Sequence, residues 1–295
     1  MKRLTIAFAA ALAAFADAPP GTQAVIDAAG AGEWRRLDPE TTIYMELPHG
    51  RVVMELTTLF APATVGNIKR LVRQGYFDGL SINRVQENYV VQWGDADGDN
   101  ATTRRPLGRA AATITPEFEK GTAGLSIAAI PGPDGFADTV GFVNGFAVAR
   151  KGERAWLTHC YGALGVGRGD TADSGNGSEL YVVIGHAPRH LDRNITLAGR
   201  VIAGMEHLTS LPRGTGPLGF YEKASERVPI TRVRVGSDVP VTERLDIEIM
   251  RTEGDAFRRF VDARAHRTRD GWFLKDAGFI DLCNIRVPQR PAPKP

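Results

Sequence analysis

Between residues 42 and 235 the chain falls into many short runs that alternate apolar and polar residues, several bounded by glycine or proline. Runs this short and numerous, with little helical periodicity between them, fit an antiparallel barrel or sandwich better than alternating βαβ units. Residues 42–47 and 51–56 flank Pro48-His49-Gly50 and read as a hairpin. Pro62 then opens a helix in which Val65, Ile68, Leu71 and Val72 share one face, with Gly75 suited to its C-terminal cap. Further strands are expected at 162–166, 180–184, 196–202 and 231–235, and a short helix after Gly204 turns Met205 and Leu208 inward. Residues 121–150 hold two β-type runs, 125–130 and 140–148, around Pro131-Gly132-Pro133-Asp134-Gly135, and read as a hairpin inserted between core elements. A last strand, 245–250, precedes a helix expected to start at the Thr252-x-x-Asp255 capping pattern, with Phe257, Phe260 and Val261 on its apolar face.

The two ends read differently from this body. Met1-Lys2-Arg3, an uncharged run over 4–15 and Ala14-Phe15-Ala16 have the form of an export signal peptide, which makes 1–16 a leader and places the mature start near Asp17. An uncleaved anchor and a buried N-terminal helix are the rival readings. Residues 17–40 form a polar, Ala/Gly-rich segment, 238–287 a C-terminal extension, and 288–295 a Pro-rich tail expected to be disordered. Losing Lys2 and Arg3 takes the formal net charge from +2 to 0, so neither a nucleic-acid partner nor an acidic substrate is implied. No membrane association is expected after signal cleavage, and the oligomeric state is open. The two cysteines, Cys160 and Cys283, allow either one disulfide closing a long loop or two separate thiols.

Signatures of covalent and metal chemistry are missing from the sequence. There is no G-x-S-x-G, H-E-x-x-H, C-x-x-C or phosphate loop ending in Gly-Lys-Ser/Thr. His159, Cys160, His186 and His190 match no common zinc spacing and are read as individually satisfied. Asp95-Ala96-Asp97-Gly98-Asp99 lacks the glycine and glutamate positions of a helix-loop-helix calcium site and reads as a solvated acidic turn. No cofactor and no metal are expected.

Four separate motifs carry a resemblance. Tyr76-Phe77-Asp78-Gly79-Leu80-Ser81-Ile82-Asn83-Arg84-Val85 resembles the Y-x-D-G-x-x-F-H-R-V run of cyclophilin-type peptidyl-prolyl isomerases. Tyr89-Val90-Val91-Gln92-Trp93-Gly94-Asp95 resembles the family's F-M-x-Q-G-G-D, and Gly177-Ser178-Glu179-Leu180-Tyr181-Val182 its G-S-Q-F-F-I. Leu191-Asp192 followed by 199–205 resembles the family's ending. The likeness covers 41–237, interrupted by the insertion at 121–150. It implies a mainly β fold, a closed eight-stranded antiparallel barrel capped by two helices. To this the inserted hairpin and a C-terminal strand-helix extension would be added.

The resemblance also implies roles. Arg84 takes the place of the catalytic arginine and Gln92 that of the glutamine orienting peptide and arginine. Tyr89, Val90, Tyr181 and Leu191 stand at apolar pocket positions, and Glu179 stands where the family has glutamine. Val90 is smaller than the usual methionine, Asn83 replaces a histidine, and His190 and Ile195 stand where many members have tryptophan and histidine. The implied partners are proline-containing peptides or unfolded exported proteins, in the periplasm or outside the cell. A noncatalytic proline-peptide-binding or structural module with a degenerate groove is the alternative.

Overall fold

The computed structural model describes residues 19–293; the leader read at 1–16 lies outside the described residues. Helix α1 (Thr22–Asp27) and strand β1 (Trp34–Arg36) precede the hairpin of β2 (Thr42–Leu47) and β3 (Gly50–Leu56). Helix α2 (Pro62–Arg73) and the pair β4 (Ser81–Val85) and β5 (Val90–Gly94) follow. Five strands come next: β6 (Lys120–Gly121), β7 (Ala128–Ala129), β8 (Thr139–Val143), β9 (Phe146–Lys151) and β10 (Arg154–Leu157). After them lie β11 (Ala163–Val166), β12 (Leu180–Val183), β13 (Leu197–Ala203), the single-turn helix α3 (Glu206–Thr209), β14 (Val228–Pro229) and β15 (Arg232–Val235). Strand β16 (Ile247–Met250), helix α4 (Asp255–Ala265) and strand β17 (Gln289–Pro291) complete the chain.

The principal sheet has nine strands in the order β14-β4-β5-β12-β11-β13-β3-β2-β15. It is a curved, open half-barrel with edges 9 Å apart, which corrects the expectation of a closed eight-stranded barrel. The reason lies in the segment that would close it. Val228 and Pro229 pair with β4, whereas Arg232–Val235 pair with β2, so the two edges share a chain segment without forming a ladder with each other. Proline has no N–H to extend a ladder. The two expected capping helices are also unequal: α2 has 12 residues and α3 only 4.

Helix α2 begins with Pro62 at its first turn and ends as its sequence requires. Gly75 takes the left-handed conformation at φ 69°, the Tyr76 N–H reaches the Leu71 carbonyl and the Gly75 N–H that of Val72. The helix lays Val65, Ile68, Leu71 and Val72 on the inner face of the sheet against Ile43, Met54, Ile82, Trp93, Leu164 and Val182.

The insertion is more than a hairpin. β8 and β9 do form one, but they sit inside a five-stranded sheet, β6-β10-β9-β8-β7, whose last strand runs to Leu157. A third sheet joins β1, β16 and β17, so Gln289–Pro291 of the Pro-rich end expected to be disordered are instead paired to β16. Helix α4 starts two residues later than a Thr252 cap would place it: Gly254 is the N-cap, and the Thr252 hydroxyl accepts the Gly145 N–H while donating to Glu253. Valines, tryptophans and phenylalanines from three distant stretches then make one second core. Val25 and Trp34 come from the N-terminal segment, Phe142 and Trp156 from the inserted sheet, and Ile249, Phe257, Phe260 and Leu282 from the C-terminal part. Between the two open readings of the cysteines the structure decides for a disulfide, Cys160–Cys283, across a separation of 123 residues.

That bond ties the connection between β10 and β11 to the C-terminal extension and should restrict the unfolded chain strongly. Removing it with Cys160→Ser/Cys283→Ser is expected to lower unfolding free energy by about 2–4 kcal/mol. Urea titration checks this; an unchanged midpoint would show that the shared core alone holds the extension in place.

Candidate functional site

The site is built from side chains on the outer face of three adjacent strands. β5 alternates, sending Val91 and Trp93 into the core and Val90 and Gln92 outward. Its neighbours place Arg84 of β4 opposite Gln92 on one side and Tyr181 of β12 opposite Gln92 on the other. Strict alternation along β4 would put Arg84 on the same face as Ile82, which is in the core. A bulge between Ile82 and Arg84 shifts the register, so that Arg84 faces Gln92 while Val85 returns inward. The bulge leaves Asn83 buried, with its Oδ1 unpartnered among the described residues.

Arg84 is half-buried and held at three points. Its Nε donates to the Leu218 carbonyl at 2.7 Å, one Nη to Gln92 Oε1 at 3.0 Å, and the other Nη to Gln86 Oε1. Its guanidinium lies 5.6 Å from the Tyr89 ring centroid and 5.4 Å from that of Phe220. The Leu218 carbonyl is presented by a turn in which Leu218 itself adopts φ 57°, a conformation unusual for a residue with a side chain. Of five guanidinium N–H groups, three are engaged and two have no partner among the described residues. Burial lowers the pKa of Arg84 while Tyr89 and Glu179 act to raise it. An arginine stays cationic throughout.

Gln92 is nearly buried and its amide has a defined orientation. Oε1 accepts from Arg84, so Nε2 points the other way and donates to Glu179 Oε2 at 2.7 Å. Gln92 thus bridges Arg84 and Glu179, and no hydrogen bond joins the two directly. Burial pushes the Glu179 carboxyl above its ordinary range, partly offset by the Gln92 bond, and the charges of Asp99 and Asp95 add to the rise.

The apolar positions are divided. Tyr89 and Leu191 are partly exposed, whereas Val90 and Tyr181 are 3% and 5% exposed. Both pack with Val143, Phe146 and Leu157 of the inserted sheet, and with Val183 and Leu197. The hydroxyl end of the Tyr181 ring packs against Gly165, where a Cβ would stand 2.1 Å from Tyr181 Cζ, so only glycine fits there. The Tyr181 hydroxyl meets His159 Nε2 at 2.9 Å, and His159 Nδ1 meets Asp192 Oδ1 at 2.9 Å. Burial pushes the Asp192 carboxyl up, but hydrogen bonds from His159 and the charge of Arg189 outweigh it and hold the group below the ordinary range. The structure thus brings Arg84, Gln92, Glu179 and Tyr89 into one hydrogen-bonded and stacked group, and places Val90 and Tyr181 beneath it. Leu191 is tied to that group only through its neighbour Asp192. Sequence reasoning gave no role to Gln86, Leu218, Phe220 or Asp192, and read His159 as merely satisfied.

Comparison with known proteins gives the family and the fold. The profile of the cyclophilin type peptidyl-prolyl cis-trans isomerase/CLD family matches residues 42–235, and the chain belongs to that family. A probable peptidyl-prolyl cis-trans isomerase of Brucella suis biovar 1 is 27% identical over 178 residues, 60% of this chain and 74% of that protein. Peptidyl-prolyl cis-trans isomerase-like 1 of Gibberella zeae is 28% identical over 195 residues, 66% of this chain and 94% of that protein. Among solved structures, cyclophilin AquaCyp293 from Hirschia baltica shares the fold, with a TM-score of 0.69 at 24% identity over 88% of this chain and 95% of that one.

The raised carboxyl of Glu179 has a stability consequence. The folded state binds a proton there more tightly than the unfolded chain, so stability falls as pH rises from the ordinary value of 4.5 through the raised folded value. Glu179→Gln keeps an acceptor for Gln92 and removes the charge. It should melt higher than the native protein at pH 7, and the gap should close toward pH 4. Thermal melts across that range check it, and a variant that melts lower at pH 7 contradicts it.

Proposed function

We propose that this protein catalyses cis/trans isomerisation at X-Pro peptide bonds of exported proteins by noncovalent stabilisation of the twisted amide. Family membership carries the general reading, a prolyl isomerase that engages proline-containing peptides. The observation that carries the particular one is Arg84, clamped by three acceptors with two N–H groups left over beside the Tyr89 ring.

Rotation about X-Pro is slow because resonance keeps the C–N bond planar. As the bond twists, the prolyl nitrogen regains a lone pair. A guanidinium N–H aimed at that nitrogen binds more strongly as resonance is lost, so its energy falls on the transition state. Clamping Arg84 in advance means that little reorganisation remains when the peptide arrives. Gln92, fixed between Arg84 and Glu179, holds the cation in place, and Tyr89 with Leu191 offers apolar surface to the ring. The leader-like residues 1–16 and the Cys160–Cys283 disulfide support work in an oxidising compartment, the periplasm or the exterior. Among the described residues no helix is long and apolar enough to cross a membrane.

A second reading, a noncatalytic proline-peptide-binding or structural module, is favoured by one observation. Val90 and Tyr181, the expected pocket floor, are buried under side chains of the inserted sheet. A protease-coupled assay on a proline tetrapeptide separates the two. Arg84→Ala should lose turnover roughly a hundredfold, about 2.7 kcal/mol in barrier, with its circular dichroism unchanged. Native protein that binds the peptide without exceeding the uncatalysed rate establishes the module instead.

A further inference from the structure

His159 is completely buried, bears a titratable ring and has no part in the chemistry above. Its surroundings are unusually well specified. Asp192 is the hub: Oδ1 accepts the His159 backbone N–H at 2.9 Å and His159 Nδ1 at 2.9 Å. Oδ2 accepts Arg189 Nε at 2.5 Å and Trp156 Nε1 at 3.3 Å. Arg189 in turn pairs with Asp134 at 3.0 Å, both of them buried.

The chemistry of these groups fixes a direction. A carboxylate only accepts, so His159 Nδ1 must carry a proton, and in the neutral ring Nε2 is left to accept the Tyr181 hydroxyl. The Tyr181 side chain is then held at its hydroxyl end, where Gly165 lies closest to Cζ and the hydroxyl and His159 meets the oxygen. Asp134 and Trp156 belong to the inserted sheet and its loops, while Leu191 lies in the same turn as Arg189 and Asp192. One buried ionic cluster thus reaches from the insertion to Tyr181 and to the turn that carries Leu191.

We propose that the inserted sheet sets the floor of the prolyl site through Asp134, Arg189, Asp192 and His159, and that His159 is a positioning residue acting through Tyr181. This rests on the isomerase reading above and gives the insertion a task in it. Loss of the anchor frees the floor and weakens ground-state and transition-state binding alike, so KM changes and kcat does not.

The test compares His159→Leu, His159→Gln, Tyr181→Phe, the double variant His159→Leu/Tyr181→Phe, and the distant Asp134→Asn, with KM and kcat measured on a proline tetrapeptide and folding followed by thermal melts. His159→Leu should raise KM about fivefold with kcat within about twofold, and His159→Gln, which can still accept from the tyrosine hydroxyl, should restore most of it. Tyr181→Phe should add nothing in the His159→Leu background, because the two side chains act as one unit. Asp134→Asn should move KM in the same direction, and with His159→Gln it carries the test if His159→Leu does not fold. Unchanged KM in the folded variants, or effects of the two single changes that simply multiply, overturns the positioning role and leaves the isomerase reading intact. Native protein that binds the peptide without turning it over overturns the isomerase reading, and the same comparisons are then made on Kd. Native protein that does neither overturns both.

Discussion

The register of three strands governs everything else in this molecule. β5 lies between β4 and β12, and the pairings Arg84 with Gln92 and Gln92 with Tyr181 put a cation, an amide and a phenol in a row on one face. The opposite face of the same strands is packed with Ile82, Val91, Trp93 and Val182. A slip of one residue would exchange the two sets, so burial of the inner face pins the outer constellation. The bulge at Asn83 is the one irregularity this register requires, and it aims Arg84.

Electrostatics then sorts the row. A guanidinium can donate only and a carboxylate can accept only, so an amide between Arg84 and Glu179 has one stable orientation. Glu179 in place of the family's glutamine therefore keeps the hydrogen-bonded chain and adds a partly desolvated charge to it. Below that row, the inserted sheet covers Val90 and Tyr181, so the insertion is a wall of the site as well as part of the second core.

Much of this was legible in the sequence, and the reason differs from element to element. The hairpin of β2 and β3 and the helix α2 carry local signals, alternation around a Pro-His-Gly turn and a Pro-to-Gly frame around one apolar stripe. Arg84, Gln92 and Tyr181 sit in the motifs that carry the family resemblance, and the strand register makes them neighbours. Short β14 and β1, and a sheet left open between β14 and β15, have no such local cause, because they depend on what lies beside them. His159 and Asp192 are 33 residues apart and His159 and Tyr181 22, so no periodicity connects them. The Leu218 carbonyl that anchors Arg84 comes from 134 residues away and involves no side-chain identity at all. The Thr252 capping pattern misled because a tertiary partner, the Gly145 N–H, took its hydroxyl.

A crystal structure with a bound proline-containing tetrapeptide tests the central claim most directly. The account requires a free N–H of Arg84 within about 3.2 Å of the prolyl nitrogen or its adjoining carbonyl, with the ring against Tyr89. A peptide bound with its proline elsewhere, or an Arg84 that turns away from it to keep all its contacts within the protein, would contradict the account.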